Sequence, residues 1–321
     1  MRITVIGAGA VGGWLAATLA KGGADVALVA RGATLEHIRA HGLTLLSGER
    51  RETFPLPASE RAADLPRPDA IILAAKTYAF PEIVAAASSV LSHGPLLVTA
   101  MNGLPWWFLQ GLSGPLENQR LESVDPGGRA AALLCSVRPV GAVVHASMRA
   151  EAPGVIRLAA VDRLILGEPS GEVSRETGTL NEFVNAGGSQ SVLTKDIRRD
   201  IWAKLWGNMN MNPVSALTGL TANGIFGEPR LLALVRDMMT EFVALGERLG
   251  LPLPMTVDQR LEVTRRLGDF RTSMLNDVEA GRPLEVEGLL GVVVELAEKL
   301  GQPVPASRTV YALARGLNRA R

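Results

Sequence analysis

Residues 2–31 read RITVIGAGAVGGWLAATLAKGGADVALVAR. The β-rich run 2–6 meets GAGAVG without a spacer. WLAATLAKGG follows with helical character ended by two glycines, and DVALVAR is a second apolar run. Strand, glycine turn, helix and strand within about thirty residues make a βαβ unit. Gly7-Ala8-Gly9-Ala10-Val11-Gly12 fits GxGxxG. Alone the pattern is weak in a chain rich in glycine and alanine, and a packing turn that binds nothing is the bland alternative. Its place between strand and helix strengthens it. Gly7 permits the tight turn, Gly9 lets a pyrophosphate approach the backbone, and Gly12 lets helix and strand pack closely. The phosphates then meet the positive helix N-terminus.

Working outward, LTLLSGERRETFPL has the pattern of a hairpin or short meander around Gly48. DAIILAAK (69–76) and GPLLVTAMNG (94–103) are further buried-strand candidates, with the helical PEIVAAASSVL between them. Such alternation implies a parallel sheet covered on both faces. The polar, turn-rich stretch from Gly111 to Gly128 reads as an excursion from that sheet. AALLCS, VGAVVHAS, GVIRLAA and RLILGE resemble strands completing the first domain, and from about Thr194 the chain becomes helix-periodic between Gly and Pro breaks. The expected architecture is α/β: a Rossmann-type doubly wound parallel sheet over 1–193, then an all-helical domain over 194–321.

A length of 321 residues fits two domains. The net charge of +1, from 33 basic and 32 acidic residues, argues against a nucleic-acid binder, which needs a basic excess on one face. Cys135 is the only cysteine, so no intrachain disulfide or cysteine metal cluster forms. No signal-peptide pattern opens the chain, and no stretch approaches the ~20 apolar residues of a membrane span. These features lead to the expectation of a soluble cytoplasmic protein without a membrane partner. His37 and His41 stand four apart on a predicted helix, but no third ligand accompanies them, so no metal site is expected.

Three strand ends carry side chains suited to a ligand. The second strand closes Val29-Ala30-Arg31, where binders of the unphosphorylated dinucleotide usually carry a carboxylate. Arginine's planar fork suits a 2′-phosphate, so the cofactor expected is NADP(H); a solvated surface arginine is the alternative. Lys76 and Asn102 close the next two strand candidates. In open α/β sheets ligands lie beyond the carboxyl ends of the strands. Each could equally be an ordinary surface lysine and a turn asparagine.

The segment 204–213, KLWGNMNMNP, sets Lys204, Asn208 and Asn212 four residues apart among tryptophans, leucine and methionines. At about 100° per residue, Asn208 and Asn212 fall about 60° and 20° from Leu205, and Lys204 about 100° away. Apolar side chains surround most of this helix, which marks it as buried. A buried amide without partners costs on the order of 1–3 kcal/mol. The stripe therefore needs a polar network or a ligand. The structural alternative has Asn212 satisfying backbone near Pro213 and Lys204 reaching solvent.

GAGAVG, Arg31, Lys76, MNG at 101–103, K-x-x-x-N-x-x-x-N-P at 204–213 and TSMLNDVEAGRPLEVEGLLG together resemble the ketopantoate reductase (2-dehydropantoate 2-reductase) family nearly end to end. The resemblance implies NADPH-dependent reduction of a 2-oxo acid, with the site between a sheet domain and a helical domain. It makes Lys204 the proton donor, Asn208 and Asn212 substrate-holding amides, and Asn102 a residue between cofactor and substrate. Ser273 would contact the substrate carboxylate and Glu285 the cofactor side. Asn223 would be another substrate asparagine if one residue is inserted after Pro213, and Ala146 a backbone contact to the nicotinamide. Read without the resemblance, Ser273 is a helix N-cap and Glu285 a favourable charge at a helix N-terminus.

One departure bears on substrate size. The loop after Asn102-Gly103 reads LPWWFLQGL, and if Trp106 and Trp107 line the cleft the substrate could be bulkier than ketopantoate; otherwise they cover a core face. Two other readings stay open: a reductase of a different 2-oxo acid or related carbonyl compound, and an NADP(H)-binding sensor without turnover. Oligomeric state, a homodimer among the options, is not legible.

Overall fold

The computed structural model describes residues 1–320. The chain forms two compact units. Residues Met1–Met101 and Gly128–Asp200 make the first, and Asn102–Gly127 with the chain from Ile201 onward makes the second.

The first unit holds β1 (Arg2–Ile6), α1 (Ala10–Lys21), β2 (Asp25–Val29), α2 (Gly32–His41), β3 (Leu43–Ser47), β4 (Arg50–Phe54), β5 (Ala58–Ser59), β6 (Ala70–Leu73), α3 (Phe80–Ala87) and β7 (Leu96–Thr99). After the excursion it resumes with α4 (Arg129–Leu133), β8 (Arg138–Ala152), β9 (Val155–Gly167), α5 (Arg175–Ala186) and β10 (Ser191–Leu193). The strands order as β4-β3-β9-β8-β7-β6-β1-β2-β5, with β10 beside β9. From β5 through β2, β1, β6 and β7 to β8 every pairing is parallel, the doubly wound run expected from the βαβ reading. The short strands β6 and β7 are buried along their whole length, as strands covered on both faces must be.

Beyond β8 the sheet changes character. β8 and β9 pair antiparallel over most of their length, and β3 and β4 form the antiparallel hairpin foreseen around Gly48. The C-terminal part of β8 and the middle of β9 run exposed. Two local expectations are corrected here. GVIRLAA and RLILGE are one continuous strand, β9, because the antiparallel ladder to β8 carries the chain across the exposed AVDR stretch. AALLCS contributes a helical turn, α4, rather than a strand: Ala130 and Leu134 are buried while Ala132 and Leu133 face outward, a helical spacing.

The second unit is helical: α6 (Ile197–Thr218, whose first turn belongs to the sheet unit), α7 (Ala222–Gly227), α8 (Pro229–Arg248), α9 (Val257–Arg266), α10 (Ser273–Glu279), α11 (Val292–Leu300) and α12 (Pro305–Arg319). A π-turn over Glu287–Gly291 leads into α11. The 102–127 segment was expected to remain an excursion of the sheet domain; it belongs with these helices. Phe108 stacks on Trp202 of α6 at 6.1 Å between ring centroids, and Trp202 stacks on Phe242 of α8 at 3.9 Å. The Glu295 carboxylate accepts from the backbone N–H groups of Glu122 and Ser123, both at 2.8 Å. A buried aromatic stack and a charge-assisted backbone clamp outweigh the polar composition that made the segment look loose. Among the described residues no helix is long and apolar enough to cross a membrane.

Candidate functional site

In the sheet unit the glycine turn has the geometry its sequence requires. Gly7 has φ +104°, and a Cβ there would lie 2.7 Å from the Ala74 carbonyl oxygen, so the turn after β1 presses against the loop after β6. A Cβ on Gly12 would come within 1.8 Å of the Gly7 carbonyl oxygen. Gly9, in contrast, faces open space and is the N-cap of α1, with no side-chain cap and no acidic residue in the first turn. The first N–H groups of α1 are thus left for an external acceptor, and a phosphate is the ligand such an end favours. These residues fit a dinucleotide.

The order in which strands are added to the sheet reverses at β1, whose parallel neighbours are β2 on one side and β6 on the other, and such a switch point is where ligands collect in these folds. Arg31, two residues past β2, is exposed and makes no ion pair among the described residues. Lys76 follows β6 and is half-buried, engaged with a neighbouring group. Ala146 lies on β8 beside a register shift, past Gly141, which pairs with the last residue of β7.

The helical unit holds the other predicted residues. From Ile201 to Ala216 every residue of α6 is buried except Ala203, Lys204, Gly207 and Asn208. At about 100° per residue these four share one face, so a buried helix has a single window and Lys204 stands in it. Although the residue is partly exposed, burial pushes its ammonium down to about 8, and the Glu285 carboxylate acts against that shift. Glu285 is itself only 3% exposed. An ammonium that gives up its proton near neutral pH is a competent general acid.

Asn208 and Asn212 make no side-chain hydrogen bond among the described residues, although Asn212 is 7% exposed. Asn210, which lies on the opposite side of the helix, donates to the Trp206 carbonyl. The asparagine outside the stripe is tied inward and the two within it are not. Asn212 sits just before Pro213, yet α6 continues to Thr218, and Asn212 does not serve the backbone there.

Other predicted residues are brought together in pairs. Gly103, at φ +77°, packs on the Gly288 carbonyl, where a Cβ would approach to 2.2 Å, so the Asn102-Gly103 turn rests against the segment that carries Glu285. The chain before Ser273 is tied to the start of α7 by Ala222 N–H to Phe270 O at 3.0 Å and Asn223 N–H to Asp269 Oδ1 at 3.1 Å. Ser273 is not the N-cap. Thr272 takes that role, its hydroxyl accepting from Leu275 N–H at 3.1 Å, which leaves the exposed Ser273 hydroxyl available. Glu285 directly precedes the helical turn that begins at Val286, the helix N-terminus its alternative reading gave it, and is buried there. Trp107 and Phe108 are fully buried, so Trp107 is core; Trp106 remains partly exposed.

Residues 3–106 match the family described as ketopantoate reductase PanE/ApbA, and 196–318 match its C-terminal domain, ketopantoate reductase PanE/ApbA C terminal. The chain belongs to the ketopantoate reductase family. A 2-dehydropantoate 2-reductase of Mesorhizobium japonicum is 42% identical over 99% of this chain and 98% of its own. The structure of a candidate ketopantoate reductase from Ralstonia solanacearum MolK2 is similar at a TM-score of 0.93 and 41% identity, covering 100% of this chain and 98% of that one. A 2-dehydropantoate 2-reductase from Methylococcus capsulatus is similar at 0.85 and 29%, covering 100% and 97%. As a ketopantoate reductase family member the protein is an oxidoreductase, and the sheet-plus-helices fold is the family's.

One basic residue beside this window lay outside the sequence reading. Arg260 of α9 reaches Gly207, but in DQRLEVTRR nothing distinguishes it from Arg265 or Arg266.

Proposed function

We propose that the protein reduces ketopantoate to pantoate with NADPH, Lys204 donating the proton. The supporting observation is the window in α6, where a desolvated ammonium stands near Asn208 and the buried Asn212, neither of which makes a side-chain hydrogen bond among the described residues. When bound, NADPH supplies the hydride. Lys204 holds a proton for the keto oxygen as negative charge grows there. Glu285 opposes the full effect of burial, so the ammonium stays protonated at neutral pH yet gives its proton up readily. Asn208, Asn212 and Asn223 offer donors and acceptors to the substrate's oxygens, and the Ser273 hydroxyl is available to its carboxylate. Asn102 lies between cofactor and substrate in this reading, with Lys76, Ala146 and Glu285 on the cofactor side. Holding the reacting groups in one orientation removes much of the entropic barrier.

NADPH over NADH is supported by Arg31, an exposed guanidinium without an ion pair at the end of β2. The compact substrate is favoured over a bulkier one by burial of Trp107. The test is NADPH oxidation with a panel of 2-oxo acids. Ketopantoate is expected to give the highest kcat/KM. A bulkier 2-oxo acid turned over faster, or no oxidation with any of them, overturns the reading.

A further inference from the structure

Arg260 is anomalous among the arginines around α9. Arg265 and Arg266 pair with Glu262 at 3.7 and 3.1 Å, and Arg236 pairs with Asp258 at 2.5 Å. Arg260 has no ion pair or side-chain hydrogen bond among the described residues, and its Nε is buried without a partner. Burial lowers its pKa, with no carboxylate acting the other way. Its guanidinium lies on α6 at Gly207, where a Cβ would fall 2.4 Å from Nη2 and 3.4 Å from Cζ.

Glycine inside a helix costs about 1 kcal/mol relative to alanine, and here it admits a cation. Gly207 is one turn from Lys204 and adjacent to Asn208, all three in the window of α6. Arg260 is half-buried with its Nε fully covered; a partly desolvated, unpaired cation is expensive, and the cost is recovered when an anion meets it. In a 2-oxo acid the carboxylate is bonded directly to the keto carbon. A group holding it must therefore stand within a few ångströms of the proton donor, as a guanidinium on Gly207 does. Its planar fork matches a carboxylate, which can accept two parallel N–H bonds.

We propose that Arg260 is a substrate-binding residue that takes the carboxylate of the 2-oxo acid beside Lys204, with Gly207 the vacancy that admits it. This rests on the 2-oxo acid reading above. Arg260→Met is expected to weaken binding of pantoate and ketopantoate, titrated calorimetrically into the NADP-loaded protein, by about 10- to 100-fold. Arg260→Lys should restore part of that loss. The KM for NADPH is expected to stay unchanged. Melting of the ligand-free Arg260→Met protein is expected at the wild-type temperature or above it, since an unpaired buried charge is removed.

Undiminished carboxylate binding in Arg260→Met overturns the proposal. So does a loss of carboxylate binding accompanied by a raised KM for NADPH and a lowered melting temperature, the signature of a packing role. Failure of the two readings is separable. Wild-type protein that binds these carboxylates through Arg260 without reducing them sinks the reductase reading alone. Turnover with Arg260-independent binding sinks this one alone, and absence of both sinks both.

Discussion

The glycine turn after β1 and the window in α6 are built by opposite means. The turn works by absence: missing side chains at Gly7 and Gly12 let backbone approach backbone, and the open N-terminus of α1 offers N–H groups. The window works by presence, with Lys204 and Asn208 in it and the buried Asn212 one turn further on, all kept polar in a helix that is otherwise mostly apolar and buried. The first is a steric arrangement that costs little when empty. The second carries a standing penalty in the free protein, because polar groups lie desolvated without partners. The contrast separates effects on stability from effects on catalysis, and it can be tested at each end.

The largest effect is expected at the window. Lys204→Ala should lower kcat by about 10²- to 10⁴-fold, with NADPH affinity by fluorescence titration held at wild type. Comparable losses in kcat and NADPH affinity would place Lys204 with the cofactor and remove the contrast. At the turn, Gly12→Ala forces a Cβ to within 1.8 Å of the Gly7 oxygen. Overpacking of this kind typically costs about 1–3 kcal/mol, so both the melting temperature and NADPH affinity should fall together. Loss of affinity at unchanged stability would mean the turn contributes more than sterics. Arg31→Ala is expected to reduce the preference for NADPH over NADH by about tenfold or more, the scale of one charge-assisted bond; an unaltered ratio of KM values removes Arg31 from the 2′-phosphate.

A smaller effect follows from pH. Lys204 must be protonated to act, so kcat should fall about tenfold per pH unit above the value near 8 to which burial pushes it. Stability moves the other way. Below about 8 the ammonium is charged in the folded and unfolded chain alike, and the burial penalty is complete. Between about 8 and the usual lysine value of 10.5 the folded chain sheds the proton first, and the penalty is relieved. Lys204→Met should therefore melt above wild type at pH 7, with the gap narrowing by pH 10. A gap that is constant with pH would show that the gain comes from packing, not charge.

How much was legible in advance follows the range of the forces involved. The βαβ start, the buried helix α6 and its polar stripe are written in spacing and residue type. Steric rules at Gly7 and Gly12, and the period that puts Lys204 and Asn208 on one face, act within a few residues. The roles proposed for Ser273 and Glu285 could not be drawn from those rules, which favoured a cap for one and a charge at a helix N-terminus for the other. Thr272 took the cap, and burial of Glu285 was decided by the chain around it.

Sequence by itself determined the class of fold, the glycine turn between β1 and α1 and the burial of the lysine–asparagine helix, because each rests on local geometry. Tertiary structure alone decided that 102–127 joins the helices, that β8 and β9 turn the sheet antiparallel, and that Arg260 settles on Gly207. In each of those cases the deciding contact joins segments well separated in the chain, and burial and packing complementarity between such segments exist only once the core has formed.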